Sequence, residues 1–277
     1  MKGLVCVRCR RLVAGEVTVA YLVPDGPLLR CGCGAVYPVL DGIPLVLRDL
    51  AGWMRSEATE ALARQDLPEP VAAVLAEAEG GAWRRNRQLR EVYLRSTEGP
   101  LQSRLRELGA GLTGEVLELG AGRGSLGRVD VTALDGNLGL LRDHPGRKVC
   151  ADAADPPFVG GSFDAVVLAN VLDSCADPGV ILAQAAGLLR PGGTLVVSCA
   201  FSFQDTITPA ERRFGEPTLD AALEGGSFFG HPIRTRVLAR EEHDWPLQIG
   251  PRSTHLHRVR LWIAEKLPPY STSAPST

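Results

Sequence analysis

The sequence predicts an α/β protein in which a mainly parallel sheet, covered on both faces, follows a small cysteine-tied β module. Three observations carry that reading. From Glu115 onward, near-continuous apolar runs alternate with helical or loop segments, the pattern of strands buried on both faces. The first of those runs ends in a glycine-rich turn, Gly120-Ala121-Gly122-Arg123-Gly124. Two close cysteine pairs, Cys6/Cys9 and Cys31/Cys33, stand near the N-terminus.

With 277 residues, 45% of them hydrophobic, the chain can bury a substantial core, which excludes disorder for most of its length. No apolar run reaches the roughly 20 residues of a membrane-spanning helix, and Met1–Val5 is too short and mixed for a signal peptide. A cytoplasmic protein with no membrane partner is expected. The formal net charge of −2 lacks the basic excess that makes nucleic acid a default partner. Lysine occurs only at positions 2, 148 and 266, so the basic charge is nearly all arginine, a usage ascribed to a GC-rich genome.

The N-terminal module spans residues 1–48. Cys6-x-x-Cys9 and Cys31-Gly32-Cys33 are separated by a hairpin-length stretch containing two strand-like runs, Glu16–Tyr21 and Leu28–Arg30. Each short turn presents two thiolates to one point, which suits a tetrahedral Zn²⁺ held by four cysteines. Such a closed site is structural, and in a module with little core the metal supplies much of the folding energy. Cys150, Cys175 and Cys199 are scattered, and two of them end apolar runs. They read as buried core thiols, with a nucleophilic Cys199 as the alternative.

Residues 49–111 read as helical: Pro70–Ala78, Trp83–Leu94 and Leu101–Leu108, punctuated by Gly80-Gly81 and Gly99-Pro100. The stretch Arg84–Arg95 is a candidate lid or a simple packing helix. Strands follow at Val116–Leu119, Val131–Leu134, Val149–Ala151, Phe163–Ala169 and Thr194–Ala200. Thr235–Glu241 and His255–Ala264, joined by a loop from Glu242 to Thr254, read as an antiparallel pair closing the sheet. The tail 268–277 is rich in Pro, Ser and Thr and reads as disordered. Ten residues separate Gly124 from Asp135, which leaves room for only a short crossover helix at Ser125–Arg128.

In an open parallel sheet, ligands bind beyond the carboxyl ends of the strands. Glu118, Asp135, Asp152 and Asn170 fall at four such ends. The glycines let backbone approach a ligand closely and offer amide donors. Asp135 can accept from both hydroxyls of a ribose, and Asp152 with the amide of Ala153 can read an adenine edge. The third glycine comes one residue early for the dinucleotide pattern G-x-G-x-x-G, which argues against NAD.

In order and spacing, residues 115–200 resemble the class I S-adenosylmethionine (SAM)-dependent methyltransferases. The resemblance rests on Glu118-x-Gly120-x-Gly122-x-Gly124, Asp135, Asp152, Ser162-Phe163-Asp164-Ala165-Val166 and Leu189-Arg190-Pro191-Gly192-Gly193. It implies a Rossmann-like seven-stranded sheet over residues 112–267, mostly parallel with an antiparallel last strand. It also implies SAM held by Glu118, Gly120, Gly122, Gly124, Asp135, Asp152, Ala153 and Asn170. Residues 1–47 resemble the Trm112-like zinc ribbon through Cys33-Gly34-x-x-Tyr37-Pro38-x-x-Asp41-Gly42-Ile43-Pro44, which implies Zn²⁺ on Cys6, Cys9, Cys31 and Cys33. Many relatives carry histidine where Ser174 stands, so a base at that place is lacking.

Methyl transfer from a sulfonium is an in-line displacement in which the protein positions the acceptor. Candidates for a general base are Asp173, Asp205 and His231, each also readable as a cap, a solvated acid or a loop histidine. The aromatic insertion Phe201–Pro232 is the expected acceptor pocket. The function implied is methyl transfer to a small molecule or peptide. Two alternatives are an rRNA or tRNA methyltransferase whose ribbon grips RNA, and an inactive SAM-binding scaffold whose ribbon docks a partner protein.

Overall fold

The computed structural model describes residues 3–13, 16–57, 68–78, 98–203, 207–250 and 252–268. The candidate lid Arg84–Arg95, Asp205 and nearly all of the tail lie outside the described residues.

A seven-stranded sheet organises the molecule. In chain order its strands are β7 (Val116–Leu119), β8 (Val131–Asp135), β9 (Arg147–Cys150), β10 (Phe163–Ala169), β11 (Leu189–Cys199), β14 (Thr235–Gly250) and β15 (Ser253–Lys266). Their spatial order is β14-β15-β11-β10-β7-β8-β9. Strands β7 to β11 pair in parallel, whereas β15 pairs antiparallel with both β11 and β14. Every residue of β7 is buried, as expected for a central parallel strand with both faces covered.

The final hairpin is longer than the sequence pattern indicated. Residues 242–250 continue β14 rather than forming a loop, with Pro246 opposite Leu256. Because β14 is the sheet's edge, Pro246 can lack an N–H without breaking a second ladder.

No helix forms at Ser125–Arg128; residues 120–130 cross from β7 to β8 in turns and bends. The cover that a crossover helix normally gives comes from elsewhere. Helix α3 (Pro100–Gly111) packs Leu101 and Leu105 with Leu126, Val116, Val131 and Trp245 in one buried cluster. A Cβ at Gly109 would lie 2.7 Å from the Leu126 carbonyl oxygen, so glycine permits the close approach of the crossover. Arg128 then donates to the helix-end carbonyls of Gly109 (2.8 Å) and Leu112 (2.7 Å).

Helix α4 (Leu138–Arg142) starts at Asn137, whose side chain accepts from Leu140 N–H. Helix α5 (Pro178–Leu188) has Pro178 in its first turn and Asp177 as its cap, accepting from Val180 N–H at 3.2 Å. It packs on β10 and β11, and α6 (Glu216–Leu223), beside β14, joins the same buried cluster. The short pair β12 (Ser227–Phe228) and β13 (His231–Pro232) follows α6.

The N-terminal unit holds the hairpin β1 (Arg11–Val13)/β2 (Glu16–Thr18) and a sheet of β3 (Val23–Asp25), β4 (Leu28–Arg30), β5 (Val36–Leu40) and β6 (Ile43–Pro44). It abuts the large sheet at its β9 edge. Leu45 bridges Cys150 in parallel, and Val46 N–H donates to the Cys150 carbonyl at 2.8 Å. Val5 N–H donates to the Pro157 carbonyl at 3.0 Å, and Arg48 Nε to Asp155 Oδ2 at 2.8 Å. Helices α1 (Leu50–Glu57) and α2 (Glu69–Ala78) follow. Leu40, Leu45, Trp53, Val71 and Leu75 from this part pack with Ala133, Leu138, Leu141 and Cys150. Among the described residues, no helix is long and apolar enough to cross a membrane.

Candidate functional site

The tips of β7, β8, β9 and β10 open onto one cavity of about 1080 Å³. That is at the upper end of small-molecule sites, roughly 300–1,000 Å³. All eight cofactor positions expected from the sequence line it: Glu118, Gly120, Gly122, Gly124, Asp135, Asp152, Ala153 and Asn170.

The turn after β7 folds back on β8, because Gly120 and Ala121 N–H both donate to the Leu134 carbonyl, at 2.8 and 2.9 Å. Gly122 N–H donates to Asp135 Oδ2 at 2.8 Å, and Asn137 N–H to Asp135 Oδ1 at 2.7 Å. Two backbone amides thus fix the carboxylate plane. Burial pushes the Asp135 carboxyl up, and the amides of Asn137 and Gly122 oppose that shift. At Gly122 φ is +53°, and a Cβ there would meet only Leu140 Cδ1, at 3.9 Å. Among the described residues, chain neighbours aside, no other atom comes within 4 Å of that point, so the turn leaves room for a ligand beside Asp135.

Glu118 is buried beneath the turn. Its Oε1 accepts from Ser125 N–H at 2.7 Å and from the Ser125 hydroxyl. Its Oε2 lies 3.2 Å from Nε2 of His144, also buried. Gly146 N–H donates to His144 Nδ1 at 2.9 Å. Nδ1 is therefore an acceptor, and the ring proton sits on Nε2, pointing at Glu118. Gly124, at φ +98°, passes over this ring; a Cβ there would come within 3.0 Å of it.

At the end of β9, Asp152 Oδ1 accepts from Ala154 N–H at 2.8 Å. Asn170, at the end of β10, is left-handed (φ 54°), and its Oδ1 accepts from the Ser198 hydroxyl at 3.0 Å. The opposite walls come from Val46–Asp49, Gly52 and Trp53, from α3 (Leu101, Gln102, Leu105), and from Ile181, Ile207 and Trp245.

The two candidate bases lie elsewhere. Asp173 is buried, accepts from Ser202 N–H at 3.1 Å and has its carboxyl pushed up by burial. His231 sits in β13 against Gly179. Neither is among the cavity's lining residues, whereas Ser174 is. The aromatic insertion also departs from expectation. Phe214 packs edge-to-face with Phe201, Phe203 and Phe228 at 5.8, 5.2 and 4.9 Å, so these rings fill core. Of the described residues from 201 to 232, only Ile207 lines the cavity. Burial pushes the Cys199 thiol up and keeps it protonated, the state of a core thiol rather than a nucleophile. Cys175 lines the cavity and is pushed up to about 12, chiefly by burial.

The four N-terminal cysteines converge, their Sγ atoms all within 4.8 Å of one another. Cys9 and Cys31 Sγ are 3.5 Å apart, and Cys6 and Cys33 Sγ 3.9 Å. A tetrahedral Zn²⁺ with bonds of about 2.3 Å places sulfurs about 3.8 Å apart, so the donor set fits that ion. The buried Tyr37 hydroxyl lies 3.2 Å from Cys6 Sγ, where it orients the sulfur. Hydrogen bonding from Cys9 leads in lowering the Cys33 thiol to about 7, so it is readily ionised. Among the described residues this is the one grouping with metal-ligand chemistry; His255 and His257 face each other only as rings 6.5 Å apart.

Sequence reasoning missed His144, Ser125 and the Val46–Trp53 wall. Their partners lie across chain folds that no local pattern reports.

A sheet ordered 3-2-1-4-5-7-6 with an antiparallel seventh strand, beside a glycine turn paired to a strand-end acid, is the arrangement that the resemblance to class I SAM-dependent methyltransferases implies. Comparison with known proteins agrees: residues 107–197 match a family model described as a methyltransferase domain. A demethylmenaquinone methyltransferase of Mycobacterium sp. (strain JLS) is 38% identical over 160 residues, covering 52% of this chain and 66% of that protein. A second protein of that name, from Renibacterium salmoninarum, is 35% identical over 94 residues, covering 30% and 40%. The chain thus spans just under two thirds, at most, of the length of these relatives. Among solved structures, the 1,6-didemethyltoxoflavin-N1-methyltransferase of Burkholderia thailandensis aligns with 90% of this chain and 100% of its own. Its identity is 17% and its TM-score 0.45.

Proposed function

We propose that this protein transfers a methyl group from SAM to a small-molecule acceptor and that its N-terminal unit holds a structural Zn²⁺. The observation that carries the reading is the Asp135 carboxylate, fixed by two backbone amides at the floor of the cavity. SAM, when bound, supplies an electrophilic methyl on a sulfonium sulfur.

The chain's own residues do the rest. Asp135 accepts from the ribose hydroxyls. Asp152 and the Ala153 amide read the base. Glu118, locked by Ser125 and His144, supports the glycine turn from below. The apolar walls at Leu101, Leu105, Ile181, Ile207 and Trp245 exclude water and suit an apolar acceptor. The curated relatives that the chain matches are named demethylmenaquinone methyltransferases, which supports a small-molecule acceptor. Asp173 and His231 are kept as candidate bases, although neither lines the cavity.

Titration calorimetry with S-adenosylhomocysteine, the product form lacking the methyl, tests the reading. Saturable one-site binding is expected, weakened at least 10-fold in Asp135→Ala. Absence of binding to the wild-type protein, or undiminished affinity in the variant, would overturn it.

A further inference from the structure

The cavity has one wall that the methyltransferase sheet does not supply. Val46 to Asp49, Gly52 and Trp53 come from the junction between the N-terminal unit and α1, yet all line the cavity. The wall is anchored at both ends. At the tip of β9, Val46 N–H donates to the Cys150 carbonyl at 2.8 Å, and Arg48 pairs with Asp155 at 2.8 Å. At the tip of β8, Trp53 Nε1–H donates to the Gly136 carbonyl at 2.6 Å. Between these anchors, Asp49 turns the chain: its Oδ1 accepts from Gly52 N–H at 2.7 Å and its carbonyl from Trp53 N–H at 3.1 Å.

Gly136 directly follows Asp135, and Cys150 lies two residues before Asp152. The wall therefore closes the end of the cavity bounded by the two acids read as the ribose and adenine partners. Trp53 is 8% exposed and packs in one cluster with Ala121 of the glycine turn and Leu138 and Leu141 of α4. Its position is held by the cluster before any ligand arrives, so little ordering is left to do on binding.

The geometry points to Trp53 as a nucleoside-positioning residue contributed by the N-terminal unit, an assignment that rests on the function proposed above. The part of the Trp53 side chain left open to the cavity is an aromatic edge at the closed end of a nucleoside site, which favours a flat purine base. Stacking of a base on an aromatic side chain is worth about 1–3 kcal/mol, or roughly 5- to 150-fold in affinity. The hydrogen bond to Gly136 couples that ring to the backbone next to Asp135.

The test is calorimetric binding of S-adenosylhomocysteine and of 5′-methylthioadenosine, which lacks the amino-acid end, to the full-length wild type, Trp53→Phe and Trp53→Ala. Trp53→Ala is expected to lose at least 10-fold for both ligands by the same factor, because both carry the nucleoside. Trp53→Phe, which keeps a ring and drops the N–H, is expected to lose less than 5-fold. In a Trp245→Phe background, which removes the other tryptophan lining the cavity, cofactor addition is expected to change intrinsic tryptophan fluorescence, with the change largely absent once Trp53→Phe is added; that second readout serves if Trp53→Ala does not fold. Failure of wild type to bind either ligand overturns the underlying function. Wild-type binding with affinities within 2-fold in Trp53→Ala, or a fluorescence change in the Trp245→Phe background that Trp53→Phe leaves unaltered, overturns this assignment alone.

Discussion

Glu118 is a buried carboxylate whose acceptors are matched one by one, by Ser125 on one oxygen and His144 on the other. His144→Ala would leave Oε2 without its donor. Unmet buried polar groups cost about 1–3 kcal/mol, so the urea midpoint of the variant is expected to fall by that equivalent, and an unchanged midpoint would contradict the assigned bond. Substitution at Gly124 acts on the same spot by strain. Gly124→Ala places a Cβ at φ +98°, 3.0 Å from the His144 ring. About 1–3 kcal/mol of destabilisation is expected in the same unfolding measurement. The residues whose place at the cavity the sequence made legible, such as Asp135 and Asp152, are those whose position follows from the chain: a strand end after a known interval. His144 sits in an unremarkable Asp-His-Pro-Gly turn, and its partner is 26 residues away. Nothing local marks it.

At the scale of elements, α3 is tied to the edge strand β14 by a two-pronged pair. Arg104 Nε and Nη2 each lie 2.8 Å from a Glu241 oxygen, and His243 Nε2 is 2.7 Å from the same carboxylate. The Arg104 guanidinium beside it holds the Glu241 carboxyl down at about 2. The folded pKa is depressed, so the stabilisation is fully present above the unfolded value near 4.3 and is lost as pH falls toward 2. With both partners partly exposed, about 1 kcal/mol is expected for Glu241→Gln at pH 7. The gap between wild type and variant in thermal unfolding should close between pH 4.5 and 2; a gap independent of pH would contradict the pair's contribution. Element identities were largely legible because buried parallel strands announce themselves as apolar runs. Two boundaries were not. Residues 242–250 carry Pro and polar groups that read as a loop, yet an edge strand accommodates both. The crossover read as a short helix at Ser125–Arg128, yet only two residues separate the positive-φ glycines at 124 and 127, too few to close a turn of helix.

Across the whole molecule, the N-terminal unit completes the sheet it precedes. Leu40, Leu45 and Trp53 share a core with Ala133, Leu138 and Leu141, and a cluster containing Cys6, Cys31 and Tyr37 continues into β7 and β10. Zinc is expected at one equivalent per chain by elemental analysis of protein purified under reducing conditions, and is expected to be lost in Cys9→Ser. Because the metal ties a module with little core of its own, its removal is expected to lower the thermal midpoint by several degrees. It is also expected to weaken S-adenosylhomocysteine binding by loosening the wall at Val46–Trp53. Metal loss with full cofactor affinity would separate the two units. Both units could be read from the sequence, but their shared core could not, since each motif describes only its own fold. The most direct measurement is a crystal structure grown with S-adenosylhomocysteine. Density is expected across the tips of β7, β8 and β9, with ribose hydroxyls on Asp135 and the purine beside Asp152 and Trp53. Clear density for the compound at another place on the protein, with those tips free of it, would contradict the assignment.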